Sequence, residues 1–382
     1  MSRDLGARLS RIRSTKKKDA RPAADVSRHA VSPGDGWERT GSYTFVRKLK
    51  VPNPVEALGY ERPLEKNLLF GRNNPPPDAG DLLFFDLETT GLSAGPGTAI
   101  FLAGFGSLNG ADLEITQFFL ADYPGEREFL EQIRGFIPDS PYWISYNGKS
   151  FDAPMMITKG ILHGIRFSFP RHGDLLHLSR RLWKPVLPGC SLSQIEQYIL
   201  HTERPLDIPG ALAPQMYFDY LKTGDVSGIQ KVAAHHYEDI QSLARLLARV
   251  CMISRDPLNA RPADSFGLGF LLRNEPAGLE ILNRGFENGE ERCGVFLAAE
   301  YKRCGNYEAA VGIWKSLFDR FTNVEAAVEI AKFHEHRTKD FDAAESWTVR
   351  AADTLSGDAQ KKRDILHRLE RIRLKREKLR GL

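Results

Sequence analysis

The most constraining feature of this sequence is a pair of acids within an apolar run that has the composition of a β-strand. Asp86 and Glu88 follow Leu82–Phe85 and are separated by one residue. Because side chains alternate between the two faces of a strand, both carboxylates lie on the same face. Two such carboxylates repel each other and lose hydration, so the pair requires a compensating positive charge, which a bound cation supplies.

The segments around this run predict an α/β domain with a mixed sheet. Apolar, β-prone runs at 82–87, 98–108 and 113–120 are separated by Gly, Asn and Asp, which indicates three antiparallel strands. Alternating helix and strand then follow, with a helical pattern at 126–136, a strand at 142–146 and a helix at about 151–163. Beyond residue 190 the pattern is helical, at 191–200, 213–222 and about 229–254.

A chain of 382 residues exceeds the usual size of one hydrophobic core, and its composition divides it into three parts. Residues 1–78 are predicted to be a basic, largely irregular leader and linker, with a short strand near Tyr43–Lys48. Residues 79–255 are predicted to form the α/β domain, and residues 265–382 an all-α domain. No apolar run is long enough to span a bilayer, and the charged first residues argue against export, so we expect a cytoplasmic protein without membrane contact.

The all-α part contains an internal repeat. Tyr307–Ala310 recurs as Phe341–Ala344 at an offset of 34 residues, which resembles the tetratricopeptide repeat, and Ala277–Leu282 is a weaker third copy. Residues 361–380 carry ten Lys/Arg against three acids and predict a basic capping helix. Such basic runs either contact polyanions or form solvated surfaces. The repeats are candidates for binding a protein partner.

Two further acids extend the pair on the strand. Asp152 follows Asn147 at the junction of a strand and a helix, where the plain alternative is a helix cap. Asp239 lies four residues after His235, which places imidazole and carboxylate on one helix face. Carboxylates from several segments suit Mg²⁺ or Mn²⁺, and a histidine has the right pKa to accept a proton from an attacking water.

Asp86–Gly91, Asn147–Asp152 and His235–Asp239 resemble the three successive motifs of DEDD exonucleases, which have a ribonuclease-H-like fold. Further matches at Asp174–Leu176, Arg180–Trp183, Cys190–Leu192 and Asp207–Gly210 resemble the bacterial YprB-like ribonuclease-H-like family, over roughly residues 80–250. The resemblance implies a 3′–5′ exonuclease acting on single-stranded DNA or RNA ends. It also implies two divalent cations, Mg²⁺ or Mn²⁺, held by Asp86, Glu88, Asp152 and Asp239.

The third motif departs from the better-known DEDD subgroups, which place a Tyr four residues or a His five residues before the last Asp. Here His235 occupies the position four before Asp239, and Ala234 the position five before. His235 is therefore the predicted base, and the neighbouring His236 points elsewhere on the helix. The predicted substrate contacts are Thr89, Asn147, Arg180, Arg181 and Lys184.

Several alternatives remain open on the sequence alone. Trp183 either stacks on a nucleobase or lies buried, and His172 and Asp174 form a second polar cluster with a structural or a positioning role. Gly91–Gly95 matches a serine-hydrolase elbow, but a strand-like run follows it where that motif requires a helix. A catalytically inactive nucleic-acid or protein adaptor and a ribonuclease-H-like endonuclease are the competing functions.

Overall fold

The computed structural model describes residues 30–59, 64, 68–70, 76–91, 97–202, 204 and 209–380, with the side chains of 379 and 380 excepted. Within these ranges the first half of the chain forms one sheet of seven strands. The strands are β1 (Glu38–Arg39), β2 (Thr44–Pro52), β3 (Leu82–Thr89), β4 (Ile100–Asn109), β5 (Asp112–Leu120), β6 (Tyr142–Ser145) and β7 (His172–Asp174). Their order is β1-β2-β5-β4-β3-β6-β7. β3 pairs antiparallel with β4 and parallel with β6, which confirms the predicted mixed sheet.

Strand β2 corrects the predicted leader. It pairs antiparallel with β5 over its whole length, from Thr44 opposite Leu120 to Pro52 opposite Asp112. The expected short strand at Tyr43–Lys48 is therefore longer and belongs to the main sheet, so residues 44–52 are not irregular. Arg47, Lys48 and Lys50 lie among apolar residues along β2, and these basic residues give a partly buried strand the composition of a linker. The basic residues 1–29 and the serine-elbow residues 92–95 lie outside the described ranges.

Two helical layers enclose the sheet. The helices of this half are α1 (Glu126–Phe136), α2 (Asp152–His163), α3 (Leu175–Trp183), α4 (Leu192–Ile195), α5 (Ala213–Thr223) and α6 (Ser227–Arg255), and a π-helical turn, Glu196–Leu200, continues α4. Phe85 packs in the apolar cluster that includes side chains of α1 and α2, whereas Phe84 packs in the cluster that includes side chains of α6. Because Asp86 and Glu88 share the parity of Phe84, both face α6.

Two glycines of β4 allow α6 to lie close to the sheet. A Cβ atom on Gly104 would overlap the imidazole of His236, and one on Gly106 would lie 2.7 Å from Cγ2 of Ile240. Any larger residue at these positions would push the helix away from β3 and β4. The close approach brings the middle of α6, with Asp239, to the acids of β3.

The second half of the described chain is helical throughout. Its helices are α7 (Ser265–Leu271), α8 (Pro276–Glu287), α9 (Glu291–Arg303), α10 (Tyr307–Phe321), α11 (Val324–Phe333), α12 (Phe341–Thr354) and α13 (Ala359–Arg380), and a π-helical turn, His334–Thr338, extends α11. α10 and α12 begin at the two copies of the sequence repeat, and the equivalent residues Ala310 and Ala344 are fully buried. The predicted helical repeat is thus confirmed, while its assignment to the tetratricopeptide type stays a prediction. None of the described helices has both the length and the apolar composition needed to cross a membrane.

Helix α13 caps the repeats with both apolar and charged contacts. Ile365, Leu369 and Ile372, which are spaced three or four residues apart, are buried on one stripe of the helix. Six of its cations are ion-paired with acids of the preceding helices: Lys361, Arg368, Arg371, Arg373, Lys375 and Arg376. These six cations share four acids, so the ion pairs support a structural cap without neutralising the helix.

The helical half shares a hydrophobic core with the α/β half. Leu268, Leu272 and Ile281 belong to the same buried cluster as Leu182 and Trp183 of α3. The backbone N–H of Asp264 also donates to the carbonyl oxygen of Leu182 at 2.8 Å. The domain boundary at residues 255–265 remains a prediction, and separating the chain there would expose part of this core.

Candidate metal and active site

The four predicted acids come from three elements that meet at one edge of the sheet. Asp86 and Glu88 lie near the carboxyl end of β3, Asp152 is the first residue of α2, and Asp239 lies within α6. Because β3 and β6 are parallel, their carboxyl ends lie at the same edge of the sheet. The loop after β6 therefore places Asp152 near the two acids of β3. The carboxylate of Asp152 accepts a hydrogen bond from the backbone N–H of Leu87, between the two β3 acids.

One triad in this cluster has the spacing of a cation site. Ligand atoms of Glu88, His235 and Asp239 all lie within 4.8 Å of one another. A divalent cation can be held by the two carboxylates of this triad after small side-chain adjustments, with the imidazole of His235 beside it. The sequence identified these three residues separately, and the fold brings them together.

The charge state of the acids also fits a cation. Burial, together with the charges of Asp239 and Asp152, raises the pKa of Glu88 to about 8. Burial raises the pKa of Asp152 to about 7, and burial and three neighbouring carboxylates raise that of Asp86 well above its usual range. Burial also raises the pKa of Asp239, although Arg204 opposes the shift. Carboxylate oxygens are hard ligands, which Mg²⁺ and Mn²⁺ prefer. Because the pKa values of these acids are raised, a nearby positive charge is needed to keep the carboxylates ionised, and a bound cation would supply it.

We expect Mn²⁺ to raise the melting temperature more at pH 8.5 than at pH 6.0. The folded-state pKa of Glu88, about 8, lies above its ordinary value of 4.5, so the metal-free fold loses stability as pH rises between these values. A cation needs the ionised carboxylates and competes with their protons, so its stabilisation grows over the same range. At a concentration 100 times Kd the gain is about 2.7 kcal/mol. Thermal denaturation with Mn²⁺ and with EDTA at both pH values measures it, and an equal gain at both would contradict this charge state.

His236 lies behind the acids and fixes the β3 backbone. Its Nε2 donates to the carbonyl oxygen of Asp86 at 3.0 Å, and its Nδ1 accepts from Nε2 of Gln117 at 2.9 Å. Burial lowers the pKa of His236 to about 4, so the ring is neutral and both nitrogens are used in these contacts. His236 therefore positions Asp86, and His235 remains the candidate base.

Substitution of Gly104 tests the fit between His236 and the sheet. We expect Gly104→Ala to destabilise the protein by about 1–3 kcal/mol, because the added methyl group overlaps an imidazole that hydrogen bonds hold in place. Gly135→Ala is the matched control, since nothing lies within 4 Å of a Cβ at that position of α1. The control should be neutral or slightly stabilising. Urea denaturation compares the two, and equal stabilities would refute the close approach of α6.

Asp174 holds the turn that leads to Asp152. Its carboxylate accepts from the backbone N–H groups of Asn147 at 2.8 Å, Lys149 at 3.1 Å and Leu176 at 3.0 Å. Asn147 has a positive φ of 66°, a conformation that Asn adopts more readily than most residues. Asp174, one member of the second polar cluster, thus has a positioning role at the centre of this turn.

Arg204 and Glu196 are residues of the site that the sequence did not reveal. Nη2 of Arg204 lies 2.5 Å from Oδ1 of Asp239, and Nη1 lies 2.7 Å from Nδ1 of His235. On its other side the guanidinium donates to both carboxylate oxygens of Glu196, at 2.7 and 2.5 Å. Arg204 lies shortly before residues 207–210, which resemble the YprB-like family. Its contacts with His235 and Asp239 join residues 31 and 35 positions apart, so no short sequence motif indicates them.

Two cavities adjoin the acids. One, of about 520 Å³, is lined by residues that include Glu88, Thr89, Asn147, Phe151 and Asp152. The second is an open groove of about 730 Å³, whose lining includes Asn147, Arg180 and Lys184. Asn147 lines both, so the two cavities adjoin at this residue. Four of the five predicted substrate contacts lie in these two cavities.

Two aromatic residues near the site differ in exposure. Trp183 is 1% exposed within the core, so the suggested stacking of a base on its ring is wrong. Phe151 is 51% exposed and lines the acidic cavity, where its ring is accessible to a ligand. The fifth predicted contact, Arg181, lines neither of these two cavities. Its backbone carbonyl oxygen lies close to Gly267 of α7.

Comparison with known proteins agrees with this architecture. The RNase_H superfamily matches residues 83–251, a range that includes all four acids and His235. A Bacillus subtilis (strain 168) protein, named Uncharacterized protein YprB, is 31% identical over 314 residues, which cover 77% of this chain and 75% of the relative. The aligned length extends well beyond the superfamily match. The chain therefore belongs to the ribonuclease H superfamily and, within it, to the YprB-like family.

Proposed function

We propose that this protein is a metal-dependent 3′–5′ exonuclease that hydrolyses phosphodiester bonds in single-stranded DNA or RNA. The observation that carries the proposal is the convergence of Asp86, Glu88, Asp152 and Asp239, whose charges act on one another. Two of these acids, Glu88 and Asp152, line a cavity of about 520 Å³. Four clustered acids without a cation only destabilise a fold, so a complete set argues against an inactive adaptor. The 3′–5′ polarity rests on the resemblance to DEDD exonucleases.

The four carboxylates would hold two divalent cations, Mg²⁺ or Mn²⁺. When bound, such cations polarise the phosphodiester and stabilise the charge that develops on the attacking and leaving oxygens. His235, one turn before Asp239 on α6, would accept the proton of the attacking water. Asp174 and His236 keep the surrounding backbone in place through the hydrogen bonds described above.

The cavities supply the remaining contacts to a single-stranded end. Phe151 presents an exposed ring on which a terminal base would stack. Thr89 and Asn147 line the cavity beside the acids and would bind the terminal nucleotide. Arg180 and Lys184 line the adjoining groove, where they would contact the phosphates of the preceding nucleotides. A protein partner for the helical repeats remains a prediction.

Oligonucleotides labelled at either end test the proposed function. With Mg²⁺ or Mn²⁺, we expect a 3′-labelled strand to release labelled mononucleotide at once and a 5′-labelled strand to shorten progressively. A circular strand of the same sequence is the matched control and should remain intact. Internal cleavage of the circle would instead establish an endonuclease, and binding without any hydrolysis would establish the adaptor. Parallel DNA and RNA strands determine the preferred sugar.

A further inference from the structure

The guanidinium of Arg204 lies directly beside two of the candidate site residues and gives them a positively charged partner from within the protein. Its guanidinium contacts Oδ1 of Asp239 and Nδ1 of His235, two of the three residues in the cation-sized triad. The side chains of Arg204 and Asp239 are only 9% and 12% exposed, so solvent screens this ion pair weakly. The guanidinium therefore already supplies a positive charge to a carboxylate that a divalent cation would also bind.

The hydrogen-bond chemistry sets the state of His235 in this arrangement. A guanidinium only donates hydrogen bonds, so Nδ1 of His235, 2.7 Å from Nη1 of Arg204, accepts in this contact. The accepting nitrogen that a general base needs is thus occupied by Arg204. For Asp239 to bind a cation and for His235 to accept a proton, Arg204 must move away from both side chains.

Glu196 gives Arg204 a second partner that does not belong to the metal cluster. It lies in the π-helical turn after α4, is 2% exposed and accepts two hydrogen bonds from the guanidinium. Because Glu196 can keep the charge of Arg204 compensated, contact with Asp239 can be lost without leaving a buried cation unpaired. The bidentate geometry suits Arg and does not suit Lys.

We propose that Arg204 is an exchangeable counter-cation, which neutralises Asp239 in the metal-free site and is displaced onto Glu196 when a divalent cation binds. This inference rests on the metal site of the proposed function. It assigns to Arg204 and Glu196 the control of metal affinity. Such a device protects the fold from the repulsion of its four acids until the metal arrives.

Calorimetric titration of the full-length, metal-free protein with Mn²⁺ tests the exchange. We expect Arg204→Ala to bind Mn²⁺ about tenfold more tightly than the wild type, because no competing cation must be displaced. Glu196→Gln should bind about tenfold more weakly, because Asp239 then becomes the main partner of Arg204. Arg284→Ala, which removes an exposed charge of α8, is the control and should leave affinity unchanged.

Arg204→Lys separates direct exchange from a general charge effect. Lysine keeps the charge but cannot bridge Glu196 and Asp239 as a fork, so we expect Mn²⁺ affinity between those of the wild type and Arg204→Ala. If Arg204→Ala does not fold, Arg204→Lys and Glu196→Gln still give the two opposite shifts. Wild-type affinity in Arg204→Lys, or an unchanged or lower affinity in a folded Arg204→Ala, would overturn the exchange. Failure of the wild type to bind Mn²⁺ would instead refute the metal site itself.

Discussion

Glu88→Gln is expected to abolish nucleic-acid hydrolysis while making the metal-free protein more stable at alkaline pH. Loss of this ligand should reduce the rate on the order of 10³-fold, equivalent to about 4 kcal/mol of transition-state stabilisation. Burial, Asp239 and Asp152 all raise the pKa of Glu88, to about 8, so its ionised form is unfavourable in the metal-free fold. Gln removes that cost, and the gain in stability should grow from pH 4.5 and level off above pH 8.

Nuclease rate with Mn²⁺ and melting temperature in EDTA, measured on the same preparation, test both halves of this prediction. Glu114→Gln is the matched control, because Glu114 is an acid of β5 whose pKa is lowered by its hydrogen bond from Lys50. The control should keep full activity and gain no stability. A fully active Glu88→Gln protein would refute the site, and a lower melting temperature above pH 8 would refute the repulsive cluster.

Glu335→Gln is expected to destabilise the helical repeats by about 3–5 kcal/mol. The Glu335 side chain is 0% exposed and accepts hydrogen bonds from Arg368, Arg371 and Lys375 of α13. Burial alone would raise the pKa of Glu335, but Arg371 and Lys375 outweigh it and lower the pKa to about 2. Without the carboxylate, three cations of the capping helix lose their common partner.

Urea denaturation and limited proteolysis of α13 measure this loss. Glu325→Gln is the control, because Glu325 pairs with Lys361 of the same helix but its side chain is 64% exposed. Since the pKa of Glu335 is lowered, its stabilisation should be present above its ordinary value of 4.5 and disappear as pH falls towards 2. Equal stability of the two variants would show that Glu335 does not anchor the cap.

Local patterns in the sequence predict much of the fold and most of the acidic site. Alternation along Leu82–Thr89 places Asp86 and Glu88 on one face, and the structure puts that face against α6. The spacing of four between His235 and Asp239 is likewise a property of one helix. Such features depend on the period of a single element, which neighbouring residues reveal.

Features that depend on distant parts of the chain were not predicted. β2 joins the sheet because β5, about 70 residues later, offers a partner, while its own composition resembles a linker. Arg204 reaches Asp239 because Glu196 and α6 bring the three side chains together. Trp183 is buried partly by the helical half, as its shared cluster with Leu268 shows. In each case tertiary packing, which has no short-range signature, decides the outcome.

Anomalous scattering from crystals grown with saturating Mn²⁺ tests the metal site most directly. We expect two manganese peaks among the carboxylates of Asp86, Glu88, Asp152 and Asp239, with the guanidinium of Arg204 on Glu196 and no longer on Asp239. The same peaks should be weaker or absent in Glu88→Gln crystals, which removes the possibility of an unrelated surface ion. Crystals in which Mn²⁺ is absent from the four carboxylates, with Arg204 still bound to Asp239, would contradict the account.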